Sequence, residues 1–240
     1  MYCEATCQGK IMHRGTSFRW LLFALTMNIG WIGAAAAGGF CEPFRQVKVP
    51  QYVLNTMIDA ATIGHLYRFQ SETSRVKFSI DSSFKLVEGN FRKIEGGIAM
   101  ESGAEHRGQA LIAIKTGSVS TSNSLVENII KSDTFLDVDE YPQILFTSTG
   151  FKWLGDTSGF LKGNLTLHGV TKPVSFHVKL SDLQGNRVGK SNAALARITT
   201  SINRNDFGMN KLPFAVNDKV NLSIRVQAAK SKLDCLQCHG

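Results

Sequence analysis

Residues 174 to 180 alternate without a break: Val174, Phe176, Val178 and Leu180 are apolar, and Ser175, His177 and Lys179 between them are polar. A period of two puts one face of an extended chain in a core and the other in water, a pattern that a helix of 3.6 residues per turn does not match. The same period returns in Val76, Phe78 and Ile80, in Leu161, Leu165 and Leu167, and in Val220, Leu222, Ile224 and Val226. Ile94, Ile98 and Met100 keep it across Gly96-Gly97, where a strand can bend as barrel closure requires. Ile112 with Ile114, Ile144 with Phe146, and Ile198 with Ile202 extend the series. Turn residues separate the runs at Gly150, Gly155-Asp156, His168-Gly169, Gly185-Asn186 and Asn217-Asp218. About eight strands, each next in sequence to its neighbour, point to an all-β antiparallel up-and-down barrel rather than to parallel βαβ units.

One segment departs from the alternation. From Asn123 to Ser132, Leu125, Ile129 and Ile130 are spaced as a helical face and Asn123 stands where an N-cap is needed, which predicts a short inserted helix over a barrel mouth or edge. Ahead of the strands, residues 38–65 read as a leader, with a short helix available from Val53 to Ala61. The first 37 residues have the order of a secretory signal peptide: a basic stretch from His13 to Arg19, an apolar run from Trp20 to Ile32, then Ala34 to Gly39. Small residues suit signal peptidase, which predicts cleavage near Ala37 or Gly39 and a periplasmic protein; an uncleaved anchor is the alternative reading. Met12 is a second candidate start. The barrel itself is expected over 66–230, with a tail over 231–240.

Composition sets the energetic frame. Hydrophobic residues make up 43% of the 240, enough for a sizeable core. No cysteine falls between 42 and 234, so that core, not disulfides, must hold the domain. Of the net charge of +8, +2 falls before residue 38 (Lys10, Arg14 and Arg19 against Glu4), and the rest is scattered along the chain that follows. That distribution is a poor footprint for nucleic acid and leaves a mild attraction to anionic membrane surfaces. No G-x-S-x-G elbow, H-E-x-x-H, P-loop or G-x-G-x-x-G occurs, and the six histidines are dispersed. No residue set recommends catalysis.

Several longer motifs then become recognisable. Thr134 to Ser148, reading T-F-L-D-V-D-E-Y-P-Q-I-L-F-T-S, resembles the F-F-D…Y-P-x-I-x-F-x-S segment of the YceI-like lipid-binding family. Gly163 to Val174 is similar to its G-x-L-T-x-x-G-V-T-x-P-V hairpin, and Ile202 to Met209 to its I-x-R-x-x-F-G-M. Ser74 to Phe78 and Val87 to Phe91 match its opening S-x-V-x-F and V-x-G-x-F, so the order agrees over roughly 67–229. The resemblance implies an extended, lipocalin-like eight-stranded barrel around an apolar tunnel for polyisoprenoid-type lipids. It implies no enzyme activity, and similar proteins often pair as homodimers. Two positions differ: Asp81 stands where the family often has histidine, and Glu127-Asn128-Ile129-Ile130 replaces an R-D-x-H-L pattern.

An eight-stranded barrel either fills with side chains or holds one small ligand. We expect Phe78, Phe84, Phe91, Ile112, Phe146, Leu165, Phe176 and Phe207 to line that interior and bind the apolar lipid, an isoprenoid quinone or polyisoprenoid, with no cofactor required. Arg204 and Asp206 beside Phe207 suit either a head-group contact or a structural ion pair at a strand end. Gly169, Gly208 and Pro173 read as turn and bend residues. The tail carries Cys235-Leu236-Gln237-Cys238-His239, the spacing at which two thiols attach haem c and a histidine ligates its iron. A haem-bearing electron-transfer protein working beside a quinone-holding barrel is therefore the alternative function; a local disulfide is the plainer reading of the pair.

Overall fold

The computed structural model describes residue 44 and residues 49–100, 108–155, 157–182 and 192–231. The signal segment, Gly185-Asn186, Cys235, Cys238 and His239 lie outside these residues. Eleven strand segments form one sheet: β1 (Leu66–Phe69), β2 (Arg75–Ser82), β3 (Leu86–Phe91), β4 (Ile94–Met100), β5 (Gly108–Lys115), β6 (Val119–Thr121), β7 (Gln143–Trp153), β8 (Ser158–Leu167), β9 (Val170–Ser181), β10 (Ala193–Asn203) and β11 (Val216–Ser231). Every pairing is antiparallel.

The eleven segments make eight staves because three staves are interrupted. The sixteen residues of β11 are long enough to pair with β2 along Val216–Arg225 and with β1 along Ala228–Ser231. Between β1 and β2 the chain turns at Gln70–Ser74, and Gln227 still accepts from Gln70 N–H at 2.8 Å and donates to Ser74 Oγ at 3.2 Å. In the same way β3 and β4 form one stave, paired to β2 and β1, and β5 and β6 form the next, paired to β4 and β3. The ring then runs through β7, β8, β9, β10 and β11 and closes where β11 meets β1. This is the eight-stranded antiparallel barrel that the alternation implies; among the described residues β6 keeps one side without a strand partner, and Glu127 accepts there from Thr121 N–H.

Gly96 has φ +125°, and a Cβ there would collide with the Leu111 carbonyl oxygen; only glycine lets β4 curl onto β5. His168 and Gly169, both at positive φ, form a tight two-residue hairpin between β8 and β9 of the primed kind that matches strand twist. Two of the expected turns are not turns. Gly150 lies within β7 and Asn217-Asp218 within β11, each at a break in register, between Ser148 and Gly150 and between Val216 and Val220. Residues that suit turns also suit a bulge, because both need a local departure from extended geometry.

Residues 51 to 62 of the expected leader form a helix, α1 (Gln51–Thr62). Its buried residues Val53, Met57, Ala60 and Ala61 pack with Leu66, Ala99, Leu111, Ala113 and Leu145 on the outside of the barrel. Strand β5 is therefore buried on both faces, with Ile112 and Ile114 in the inner core and Leu111 and Ala113 under α1. Truncating Met57, which is fully buried, to alanine should cost about 2–5 kcal/mol in urea unfolding. A change within the ±0.5 kcal/mol or so typical of surface sites would mean that α1 is not part of the folded unit.

Candidate functional site

The inner faces of the staves enclose a cavity of about 340 Å³, within the range of about 300–1,000 Å³ found for ligand pockets. Why it stays hollow in a phenylalanine-rich barrel follows from where the rings go. Phe78 faces Gly89 directly across β2 and β3, and a Cβ on Gly89 would strike the Phe78 ring. Phe146 on β7 lies over Gly163 of β8, where a Cβ would strike the ring and the Thr147 carbonyl. Each ring thus lies against the wall in the space left by a missing side chain, and the lumen beside it remains free. Phe146 also meets Phe176 edge to face at 5.0 Å, and Phe78 meets Phe91 at 5.7 Å.

Of the eight residues expected to line the interior, seven border this cavity: Phe78, Phe84, Phe91, Ile112, Phe146, Leu165 and Phe176. Phe207 does not. It is buried in the short 3-10 turn Arg204–Phe207, its carbonyl 3.2 Å from His168 Nδ1, where it packs the barrel end beside the β8–β9 hairpin. Phe84 sits at the rim and is 91% exposed.

A second helix, α2 (Ser124–Lys131), spans part of the same mouth, capped by Asn123 Oδ1 accepting from Leu125 N–H at 2.9 Å and Val126 N–H at 3.2 Å. Val126, Ile129 and Ile130 face the cavity, whereas Leu125 points to solvent. Of the expected Leu125-Ile129-Ile130 face the two isoleucines turn inward and Val126 takes the place of Leu125. Glu127 seats the helix, accepting from Lys131 Nζ at 2.6 Å and from Thr121 N–H on β6 at 3.2 Å. The Lys131 bond first, then the Thr121 bond, holds its carboxyl below the ordinary glutamate value. That seat is in place above the ordinary value and weakens only as pH falls through the lowered one.

Arg204 settles its two sequence readings in favour of structure. It is 1% exposed, and its guanidinium donates to the carbonyls of Asn217, Met209, Lys211 and Val216 at 2.5 to 3.0 Å. The remaining N–H points to Asp218, with Nη2 and Oδ1 3.2 Å apart. Every N–H is therefore used, and the acidic partner is Asp218 rather than Asp206. What Arg204 holds is the loop that brings Met209, Leu212, Ala215 and Val216 to the cavity. Sequence reasoning did not place that loop in the lining; the one signal near it was Arg204 within the I-x-R-x-x-F-G-M motif.

Among the described residues thirty line the cavity, and of these only Ser82 and Arg204 are polar. Among the described residues no group of three or more His, Cys, Asp or Glu gathers as a metal site, and no helix is long and apolar enough to cross a membrane. Fold and site together define a closed antiparallel barrel built around an apolar cavity. The chain belongs to the YceI-like family, whose domain model matches residues 67–228.

A UPF0312 protein of Pseudomonas putida is 33% identical over 149 residues, which cover 62% of this chain and 77% of the relative. Among solved structures, BcnA of Burkholderia cenocepacia is similar with a TM-score of 0.60 at 18% identity, covering 67% of this chain and 99% of that one. A domain from Saccharophagus degradans described as polyisoprenoid binding is similar with a TM-score of 0.53 at 14% identity, covering 68% and 98%. At these identities the two structures speak for the fold.

Arg204→Ala should lower stability in urea by about 3–5 kcal/mol, the loss seen when a buried charge network is broken. A loss below about 1 kcal/mol, the range of exposed pairs, contradicts the role of a latch. Gly89→Ala should drive the Phe78 ring into the lumen at a cost of about 1–3 kcal/mol; a crystal structure of the variant with the ring unmoved and the cavity unchanged would refute the wall-packing account.

Proposed function

We propose that this protein is a periplasmic carrier that holds a long apolar lipid, a polyisoprenoid or isoprenoid quinone, in the barrel cavity and catalyses no reaction. The observation that carries the reading is the lining, in which the one charged group has no N–H left to offer. A ligand that needs polar partners would lose its hydration there without recompense. A hydrocarbon tail gains about 0.8 kcal/mol for each buried CH₂, so length and girth decide affinity. The polyisoprenoid binding ascribed to the Saccharophagus degradans domain supports the same ligand class. Export rests on the basic, apolar and small-residue order of the first 37 residues.

Loading from a membrane suits the mouth. Phe84 at 91% and Phe214 at 96% exposure stand on two segments joined near the rim, where Ser83 donates its Oγ–H to the Phe214 carbonyl at 2.8 Å and its N–H to the Ala215 carbonyl at 3.0 Å. Exposed phenylalanines held at an apolar opening let a lipid tail pass inward with little contact with water.

Native mass spectrometry after gentle purification is the test. We expect an adduct with the mass of a polyprenyl lipid or quinone. Protein that emerges empty, and that takes up neither when incubated with them, rejects the carrier. The haem-bearing alternative rests on Cys235, Cys238 and His239 and has a separate readout: protein made alongside the cytochrome c maturation system either shows the haemochrome α-band in alkaline pyridine or loses that reading.

A further inference from the structure

The barrel interior holds two hollows of unequal size. Beyond the large cavity lies a second, of about 60 Å³, walled by Phe69, Phe151, Trp153, Leu180, Ala196 and Val226 among others. Ile112, Leu161 and Ile198 border both hollows, so these three side chains stand at the level between the two, which serves as the partition. They stand on β5, β8 and β10, each in a position paired on both sides: Ile112 with Gly96 and Phe146, Leu161 with Phe151 and Phe176, Ile198 with Val178 and Ile224. Backbone doubly bonded in this way does not part, and the two isoleucines are stiff at χ1.

The far chamber is small for a reason written into β7. Before its bulge the inward residues are Ile144 and Phe146; after it they are Phe151 and Trp153. The extra residue changes which parity faces inward and sets two aromatic rings, 4.7 Å apart, into the space beyond the partition. Past the level of Leu161 the hollow falls from about 340 to about 60 Å³.

We infer that Ile112, Leu161 and Ile198 are the chain-length stop of the site: they select apolar ligands whose tail ends at the partition and hold longer ones with the excess outside the mouth. This rests on the carrier reading given above. Affinity for a series of prenyl alcohols of rising length, geraniol, farnesol, geranylgeraniol and solanesol, tests it by competition with a fluorescent fatty-acid probe. Wild-type affinity should climb, at a rate of up to about four-fold per buried methylene, and then become flat. Leu161→Ala should move the flat region to longer alcohols. Ala196→Val, which adds bulk only beyond the partition, should change nothing alone but should return the break toward its original length in the Leu161→Ala background. Should Leu161→Ala fail to fold, Ile112→Val thins the same partition and should give a smaller shift in the same direction.

The stop is overturned if wild-type affinity rises without a break through solanesol, if the thinned partitions leave the break in place, or if Ala196→Val alone weakens long ligands. If no alcohol of any length binds, the carrier reading fails and the stop falls with it.

Discussion

An aromatic ring lying over a glycine of the neighbouring strand is the contact on which the hollow interior depends. Eight staves around a shared axis leave a space that ordinary large side chains would fill. Here Phe78 and Phe146 are large, yet Gly89 and Gly163 give them a place against the wall. Dispersion contacts between ring and backbone stabilise the barrel without the rings meeting at the centre. The cost of strand glycine, which lacks a side chain to pack, is offset because a neighbour supplies the missing surface.

The same contacts give a physical meaning to the motifs. Gly89 is the glycine of Val87-Glu88-Gly89-Asn90-Phe91, and Gly163 opens Gly163-Asn164-Leu165-Thr166, so both mark ring-accepting positions. In Ile202 to Met209, Arg204 ties down the loop that follows and Gly208 adopts the left-handed conformation that ends the short turn. Tyr141 rests on the His168-Gly169 hairpin, its ring 4.7 Å from that of His168 and so close that a Cβ on Gly169 would press on it at 2.6 Å. Ser148 accepts from Ala110 N–H at 2.7 Å and from Gln109 Nε2 at 3.1 Å, next to the bulge in β7.

How much of this was legible depended on the range of each interaction. Period-two alternation is local, so the barrel, its inward faces and most lining residues could be read from residues such as Val220 to Val226. The N-cap of α2 was legible for the same reason. Packing across the barrel wall is not local. The helical residues Val53, Met57 and Ala61 gave no sign of a partner until Leu111, Ala113 and Leu145 were placed on the outer face, although the unbroken apolar run Ala110 to Ile114 already marked a strand buried on both sides. Phe207 was misplaced because its parity belongs to a turn rather than to β10. Arg204 could be read as a head-group contact or as a structural ion pair because its acceptors are carbonyls, which sequence does not display.

A bulge has the largest effect per residue in this chain. Without the register break between Ser148 and Gly150, the alternation begun by Ile144 and Phe146 would continue through Ser148, Gly150 and Lys152, and a lysine would point into the far end of the barrel. An unpaired charge there would carry a desolvation cost that the surrounding Phe69, Ile98 and Val226 could not offset. With the break, Phe151 and Trp153 turn inward and Lys152 turns outward, which places apolar bulk toward the end away from the mouth. One inserted residue thereby makes the two ends of the barrel different, one bordered by exposed phenylalanines and one narrowed by inward aromatic rings, and on the carrier reading that asymmetry gives a bound tail a direction.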